Sequence, residues 1–229
     1  IIPLHQHIGA PCQPTVKVKD MVKVGQVIGE AQGFVSAPVH ASVSGEVKEV
    51  GVRPIGGGRD AVCVVIESDG QFETDPEIQP PGDYKSMDAK EIVQFIQKSG
   101  IVGMGGATFP THVKLSPPAD KPIDTIIING AECEPYLTAD HRLMLESPDE
   151  LVEGLQIIMK TVNAAKGYIG IENNKPDAIA VMLEAVKDAE NIQVVALQTK
   201  YPQGAEKQLI DACTGRQVPS GGLPMDSGV

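Results

Sequence analysis

The sequence predicts an α/β fold in two parts, a small all-β domain followed by a parallel-sheet α/β domain. Three observations carry this. Residues 1–70 hold short β-branched runs broken by Gly, Pro and Ser turns, the pattern of an all-β unit. Residues 71–87 are polar and Pro-rich, with Asp75-Pro76 and Pro80-Pro81-Gly82, and read as a linker or exposed crossover. Over residues 88–229 the period changes: strands alternate with longer helical stretches, which is how a parallel α/β sheet is written.

Each element has a local reason. The N-terminal runs are Thr15–Val18, Gln26–Ile28, Gly45–Val50 and Ala61–Glu67. Gly56-Gly57-Gly58-Arg59 lies between two of them and not before a helix, so it reads as a hairpin connection and not as an anion loop. Asp88 to Lys98 carries Ile92, Val93, Phe95 and Ile96 at helical spacing, with Asp88 and Glu91 placed for a capping box and Gly100 as the stop. Asp124–Asn129 is a continuous apolar run, suited to a strand buried on both faces. Ser147-Pro148-Asp149-Glu150 predicts a helix start with Ser as cap and Pro at the first position. That helix runs to about Ala164, with Leu151, Leu155, Ile158 and Met159 on one face. A strand over Tyr168–Ile171, a helix over Pro176–Ala189, a strand over Ile192–Leu197 and a helix over Ala205–Cys213 ended by Gly215 complete the alternation.

Composition narrows the function classes. The formal net charge is −11, which argues against nucleic acid or an anionic membrane surface as a direct partner, since both need clustered Lys and Arg. Any anionic ligand must be held by backbone amides and a few basic groups. The four cysteines, Cys12, Cys63, Cys133 and Cys213, are widely spaced without a C-x-x-C, so no metal site is predicted and a reducing compartment fits better than a disulfide framework. His5, His7 and Cys12 are metal-ligand types, but lack a fourth partner. No apolar run reaches the ~18 residues of a membrane span. The N-terminus has no signal-peptide pattern. The chain opens on Ile1-Ile2-Pro3 without an initiator Met and stops at Ser227-Gly228-Val229 without a closing element, so it reads as a piece of a longer protein.

The segment from Lys19 to Glu30, followed by Ala37-Pro38-Val39-His40-Ala41-Ser42-Val43-Ser44-Gly45-Glu46-Val47, resembles the lipoyl/biotinyl carrier fold, a barrel sandwich with two hairpins. The resemblance puts the carrier Lys near Gly33–Ser36, and that stretch contains none. A docking or packing module is therefore expected, not a swinging arm. His40, between small residues near the same turn, reads as a surface His.

The stretch Gly103-Met104-Gly105-Gly106-Ala107-Thr108-Phe109-Pro110-Thr111-His112-Val113-Lys114 is the most informative in the chain. Three glycines and an alanine leave the backbone uncovered, so successive N–H groups can face a phosphate. Pro110 and Thr111 fix the exit, and Lys114 adds a point charge of the right sign. A second candidate starts where the buried strand ends, at Asn129-Gly130-Ala131-Glu132-Cys133-Glu134-Pro135-Tyr136, because ligands of open α/β sheets gather at the carboxyl ends of strands. Cys133, small and set between two acids, is expected to pack. The third, Tyr201-Pro202-Gln203-Gly204-Ala205-Glu206, also follows a predicted strand and opens a helix.

These three motifs, in this order, resemble the flavin- and NADH-binding subunit of respiratory complex I, whose motifs read G-R-G-G-A-G-F-P-T-G-x-K, N-A-D-E-S-E-P and Y-I-C-G-E-E-T-A. They are closer to the C subunit of the Rnf complexes, membrane-bound ferredoxin–NAD oxidoreductases, with G-x-G-G-A-x-F-P-T-x-x-K and N-G-A-E-C-E-P after a lipoyl-like module. The resemblance covers nearly the whole chain and implies a Rossmann-like FMN/NADH-binding domain.

It assigns FMN contacts to Gly103, Gly105, Lys114, Asn129, Ala131, Glu132, Tyr201 and Gly204. NAD(H) contacts fall to Gly106, Ala107, Phe109, Glu134 and Glu206. No residue is expected to be catalytic in its own right, since nicotinamide and flavin do the chemistry. Met104, Ala131 and Ala205 stand where the complex I motifs carry Arg, Asp and Glu, which leaves those contacts to the backbone.

In the family a further flavin loop, an SLBB segment and two 4Fe-4S clusters follow the point where this chain stops, so this piece is expected to be inactive alone. The implied partners are the other subunits of the Rnf membrane complex and, through it, ferredoxin. The implied location is peripheral, on the cytoplasmic face of the cell membrane. The rival reading is a non-catalytic lipoyl-like docking or ligand-binding module.

Overall fold

The computed structural model describes every residue except Pro81, Gly105 and Gly106. It divides into two compact units, Ile1–Ser116 and Pro117–Val229. The first contains β1 (Ile2–Pro3), β2 (Gln13–Pro14), β3 (Met21–Val22), β4 (Val27–Glu30), β5 (Val39–His40), β6 (Gly45–Ile55), β7 (Arg59–Ser68), α1 (Ala89–Lys98) and α2 (Thr111–Lys114). The second contains β8 (Thr125–Asn129), α3 (Ala139–Glu146), α4 (Pro148–Val162), β9 (Lys166–Glu172), α5 (Pro176–Ala185), β10 (Ile192–Leu197) and α6 (Glu206–Thr214).

The β strands of the first unit form two sheets, ordered β1-β7-β6-β3 and β2-β4-β5. Leu4, Val22, Val47 and Val64 meet Cys12, Ile28 and Val39 in one core. Side chains alternate across a strand, so each sheet gives one face to this core. Gly56–Gly58 form the turn between β6 and β7, as their place between two β runs predicts. Thr15–Val18 is not a strand: Lys17 N–H donates to the Asp20 carboxylate (2.9 Å) and Lys19 takes φ +78°, a turn that ends the short β2 pairing.

Residues 71–79, expected as linker, lie along the β unit. Val24 N–H donates to the Glu73 carbonyl, Asp75 N–H donates to the Val24 carbonyl, and Lys23 pairs with Glu73. The capping box of α1 forms in both directions, Glu91 N–H to Asp88 at 2.8 Å and Asp88 N–H to Glu91 at 2.7 Å. Gly100 stops the helix at φ +68°, and a Cβ there would lie 2.6 Å from the Pro38 carbonyl oxygen. Only glycine allows both.

The second unit is a parallel sheet ordered β10-β9-β8, with Asn129 opposite Gly170 and Leu197 opposite Glu172. Leu155, Ile169, Ile171 and Met182 are fully buried in its core. Each contributes about 1.5–3 kcal/mol relative to exposure. The inward stripe of α4 is Val152, Leu155 and Met159, whereas Ile158 is only half-buried. Ser147 makes no side-chain cap to α4, and its N–H closes the preceding α3 on the Leu143 carbonyl. Helix α5 ends at Ala185 and tightens into turns, with Ala189 N–H on the Val186 carbonyl. No helix among the described residues is long and apolar enough to cross a membrane.

Candidate functional site

The glycine-rich loop belongs to the first unit. Its ends are tied like a hairpin: Gly103 N–H donates to the Phe109 carbonyl (2.9 Å), and Thr111 N–H donates to the Ile101 carbonyl (3.1 Å). The Gly103 amide is therefore used in closing the loop. Gly105 and Gly106 lie outside the described residues. The Lys114 ammonium reaches back over the loop neck, 3.3 Å from where a Gly103 Cβ would stand. Among the described residues Lys114 has no ion-pair partner. Thr108 turns the chain at φ +52°, and Met104 is fully exposed.

The loop is pinned to the β unit at two points. Ile8 N–H donates to the Ala107 carbonyl (3.0 Å). His112, buried in α2, donates from Nε2 to the Phe34 carbonyl (2.9 Å), with the Phe34 ring edge-on at 6.0 Å. Phe34 sits in the β4–β5 connection, where a carrier Lys would stand. Ser36 fastens the same connection to the Ala10 carbonyl (2.8 Å). Bonds of this kind hold the tip down and do not let it swing. His112 fills a variable position of the loop motif, so nothing in the sequence marked it.

His7 and Cys12 do approach each other, at 3.9 Å. Each is already engaged: His7 accepts from Ala37 N–H (3.1 Å), and the Cys12 thiol donates to the Ala37 carbonyl (3.0 Å). Burial pushes the Cys12 thiol up, which keeps it protonated. No metal-binding group of His, Cys, Asp and Glu occurs among the described residues.

In the second unit the two strand-end motifs come together. Asn129, the last residue of β8, donates from Nδ2 to the Gly204 carbonyl (2.9 Å) and accepts Ala131 N–H on Oδ1 (3.2 Å). Gly204 N–H in turn points at Cys133 Sγ, 3.1 Å away. Cys133 thus packs, as its size suggests. A Cβ on Gly204 would lie 3.1 Å from both the Ala131 carbonyl oxygen and Cys133 Sγ, so the two loops touch along their backbones. Tyr201 and Glu134 are exposed, as is Glu206 in the first turn of α6. Gln203 is buried with its Oε1 unpartnered.

The Glu132 side chain is buried, 4% exposed. Its Oε1 accepts Asp140 N–H at 2.9 Å, and its Oε2 has no hydrogen-bond partner. The nearest cation is Lys175, 3.7 Å away, which also faces Glu172 at 3.4 Å. The Asp140 carboxyl is raised by burial first, then by the charges of Glu132 and Glu134. Acid therefore accumulates at this end of the sheet. Glu172 and Lys175 escaped the sequence reading because they lie just beyond the strand predicted over Tyr168–Ile171, where acids and lysines are common.

In the first unit the Gly103 neck is kept clear for the Lys114 ammonium. In the second unit the strand-end loops are glycine-thin, and buried acceptors on Glu132 and Gln203 have no hydrogen-bond partner.

Residues 96–229 match the Nuo51 FMN-binding domain, and residues 1–71 match the RnfC barrel sandwich hybrid domain. The C subunit of the Na(+)-translocating ferredoxin:NAD(+) oxidoreductase complex of Acetobacterium woodii is 56% identical over 100% of this chain and 52% of its own length. Its counterpart in the proton-translocating ferredoxin:NAD(+) oxidoreductase complex of Clostridium ljungdahlii is 54% identical over 99% of this chain and 50% of its own. The chain thus spans about half the length of these curated relatives. Among solved structures, an NAD+-reducing NiFe-hydrogenase in the air-oxidized state matches 56% of this chain and 24% of its own at 26% identity and a TM-score of 0.49.

Proposed function

We propose that this chain, which belongs to the Nuo51 FMN-binding domain family, is the FMN- and NAD(H)-holding half of the C subunit of an ion-translocating ferredoxin:NAD oxidoreductase. The observation that carries the reading is the Asn129–Gly204 bond, which joins two of the three family motifs at the carboxyl end of the parallel sheet. That is where open α/β sheets receive nucleotides. The loop neck with Lys114 supports it from the first unit.

The residue roles follow the motif. Lys114, a point charge for an anion, is assigned the FMN phosphate together with Gly103 and Gly105, whose missing side chains let a ligand approach closely. Asn129, Ala131, Tyr201 and Gly204 are assigned the flavin ring. Glu132, buried, acts on the ring by charge. Gly106, Ala107, Phe109, Glu134 and Glu206 are assigned NAD(H), with Phe109 offering an aromatic face. When bound, the flavin supplies hydride exchange with nicotinamide and passes electrons on singly. The chain's own residues bind, orient and set the local charge.

The remaining half of the protein is assigned the iron–sulfur clusters and the further flavin contacts, so this piece alone is expected to be inactive. Its partners are the other subunits of the complex and, through them, ferredoxin. Its place is peripheral, at the cytoplasmic face of the membrane. The Phe34–His112 contact supports a docking role for the β unit, which braces the loop.

The test is direct. The full-length protein, purified, should show flavin absorbance that NADH bleaches. A colourless protein indifferent to NADH would refute the proposal.

A further inference from the structure

We propose that Glu132, Glu172 and Lys175 form a buried charged cluster that sets the redox potential of the flavin. The inference rests on the FMN reading above and adds two residues that lie outside the family motifs. Glu132 follows β8 by three residues and Glu172 is the last residue of β9. Because β8 and β9 are parallel neighbours, with Asn129 beside Gly170, both acids reach the same end of the sheet. Lys175 stands just before α5 and points between them.

All three side chains are at least nine-tenths buried: 4% exposed for each Glu and 10% for Lys175. Lys175 Nζ is 3.4 Å from Glu172 Oε2, 3.7 Å from Glu132 Oε2 and 3.4 Å from Asn174 Oδ1. One ammonium is thus shared by two carboxylates, and neither contact is short. Glu132 Oε2 is left without a hydrogen bond. Two acids and one base leave a buried surplus of one negative charge.

A cluster of this kind is a poor stability device. Burying charges costs more than loosely paired partners return, and an apolar trio would serve the core better. Its effect lies in its field. Charge buried in a low-dielectric interior is weakly screened and acts on neighbouring groups over several ångströms. Nearby Asp140 registers this field, held above the usual carboxylate range by burial and then by Glu132 and Glu134, with Lys175 opposing. A flavin gains negative charge on reduction. Surplus negative charge at this strand end therefore disfavours the reduced form, and Lys175 moderates the effect.

The charge count orders three variants of the full-length protein. Glu172→Gln removes one negative charge and should raise the flavin midpoint potential. Lys175→Met removes the positive charge and should lower it. The double variant Glu172→Gln/Lys175→Met restores the original net charge and should return the potential toward that of the parent. Spectroelectrochemical titration of the bound flavin reads all three, and a merely structural role would not produce this order. Flavin-loaded variants with unchanged or disordered potentials would overturn the inference while leaving the FMN assignment intact. A parent protein that holds no flavin would instead refute the FMN assignment. If Lys175→Met fails to fold, the single Glu172→Gln variant still decides, since its potential must rise.

Discussion

Asn129 and Gly204, 75 residues apart in sequence, are joined by a 2.9 Å bond from the Asn129 amide to the Gly204 carbonyl. The same side chain accepts Ala131 N–H at 3.2 Å. One residue at a strand end therefore bonds to both loops. Preorganisation of this kind lowers the ordering cost that a bound nucleotide must meet.

Asn129→Ala removes both bonds. Asn129 is exposed, so water replaces part of what is lost, and the expected cost is about 1 kcal/mol, measured by urea unfolding. Flavin retention by the full-length protein should fall by more than this stability loss accounts for, because the loops lose their common tether. Equal flavin retention in the variant would show that the tether does not shape the site.

Two glycine substitutions should behave oppositely. A Cβ at Gly204 meets the Ala131 carbonyl oxygen and Cys133 Sγ, both 3.1 Å away in a loop already fixed by Asn129. Gly204→Ala should cost about 1–3 kcal/mol as an overpacked contact. A Cβ at Gly103 instead meets the free end of Lys114 at 3.3 Å, which can swing aside. Gly103→Ala should leave stability within about 0.5 kcal/mol yet weaken flavin binding, since Lys114 is displaced. Thermal unfolding paired with flavin titration separates the two effects.

How far the sequence carried the reading depends on the range of the interaction. The α1 capping box is a contact between residues three apart, and it forms as Asp88 and Glu91 predict. The parallel strands were legible because a run such as Thr125–Asn129 must be buried on both faces. Helix α3 was not, because only Met144 among its residues is buried and its periodicity is faint. That the Glu132 side chain is buried was not legible, since its neighbours Lys175 and Asp140 are not adjacent to it in sequence. His112 was missed because its role is a bond to Phe34, 78 residues away.

Acid should weaken the second unit through Asp124. Arg216 donates to its carboxylate at 2.7 Å, and Thr125 donates to it as well, which together hold the Asp124 carboxyl below the usual range. A depressed folded value means the stabilisation is complete above the unfolded value, about 3.9, and is lost as pH falls through the folded value. Both side chains are partly exposed, so screening limits the effect to under about 1 kcal/mol. Asp124→Asn should be less stable than the parent at neutral pH, and the difference should shrink below pH ~4. A pH-independent difference would assign the loss to geometry and not to charge.

Glu134 offers the last test, because it is an exposed acid at the strand end where negative charge already accumulates. If the pyrophosphate of NADH approaches this end, Glu134 repels it and speeds release. Glu134→Gln should then bind NADH about two- to fivefold more tightly, the range of an exposed charge interaction, with the gain shrinking as salt is raised. The same substitution removes one of the charges that raise the Asp140 carboxyl, whose titration should move back toward the usual carboxylate range. The two readouts are independent. A shift at Asp140 without any change in NADH affinity would mean that Glu134 shapes the local field but does not face the nucleotide, and the NAD(H) assignment of this residue would fall.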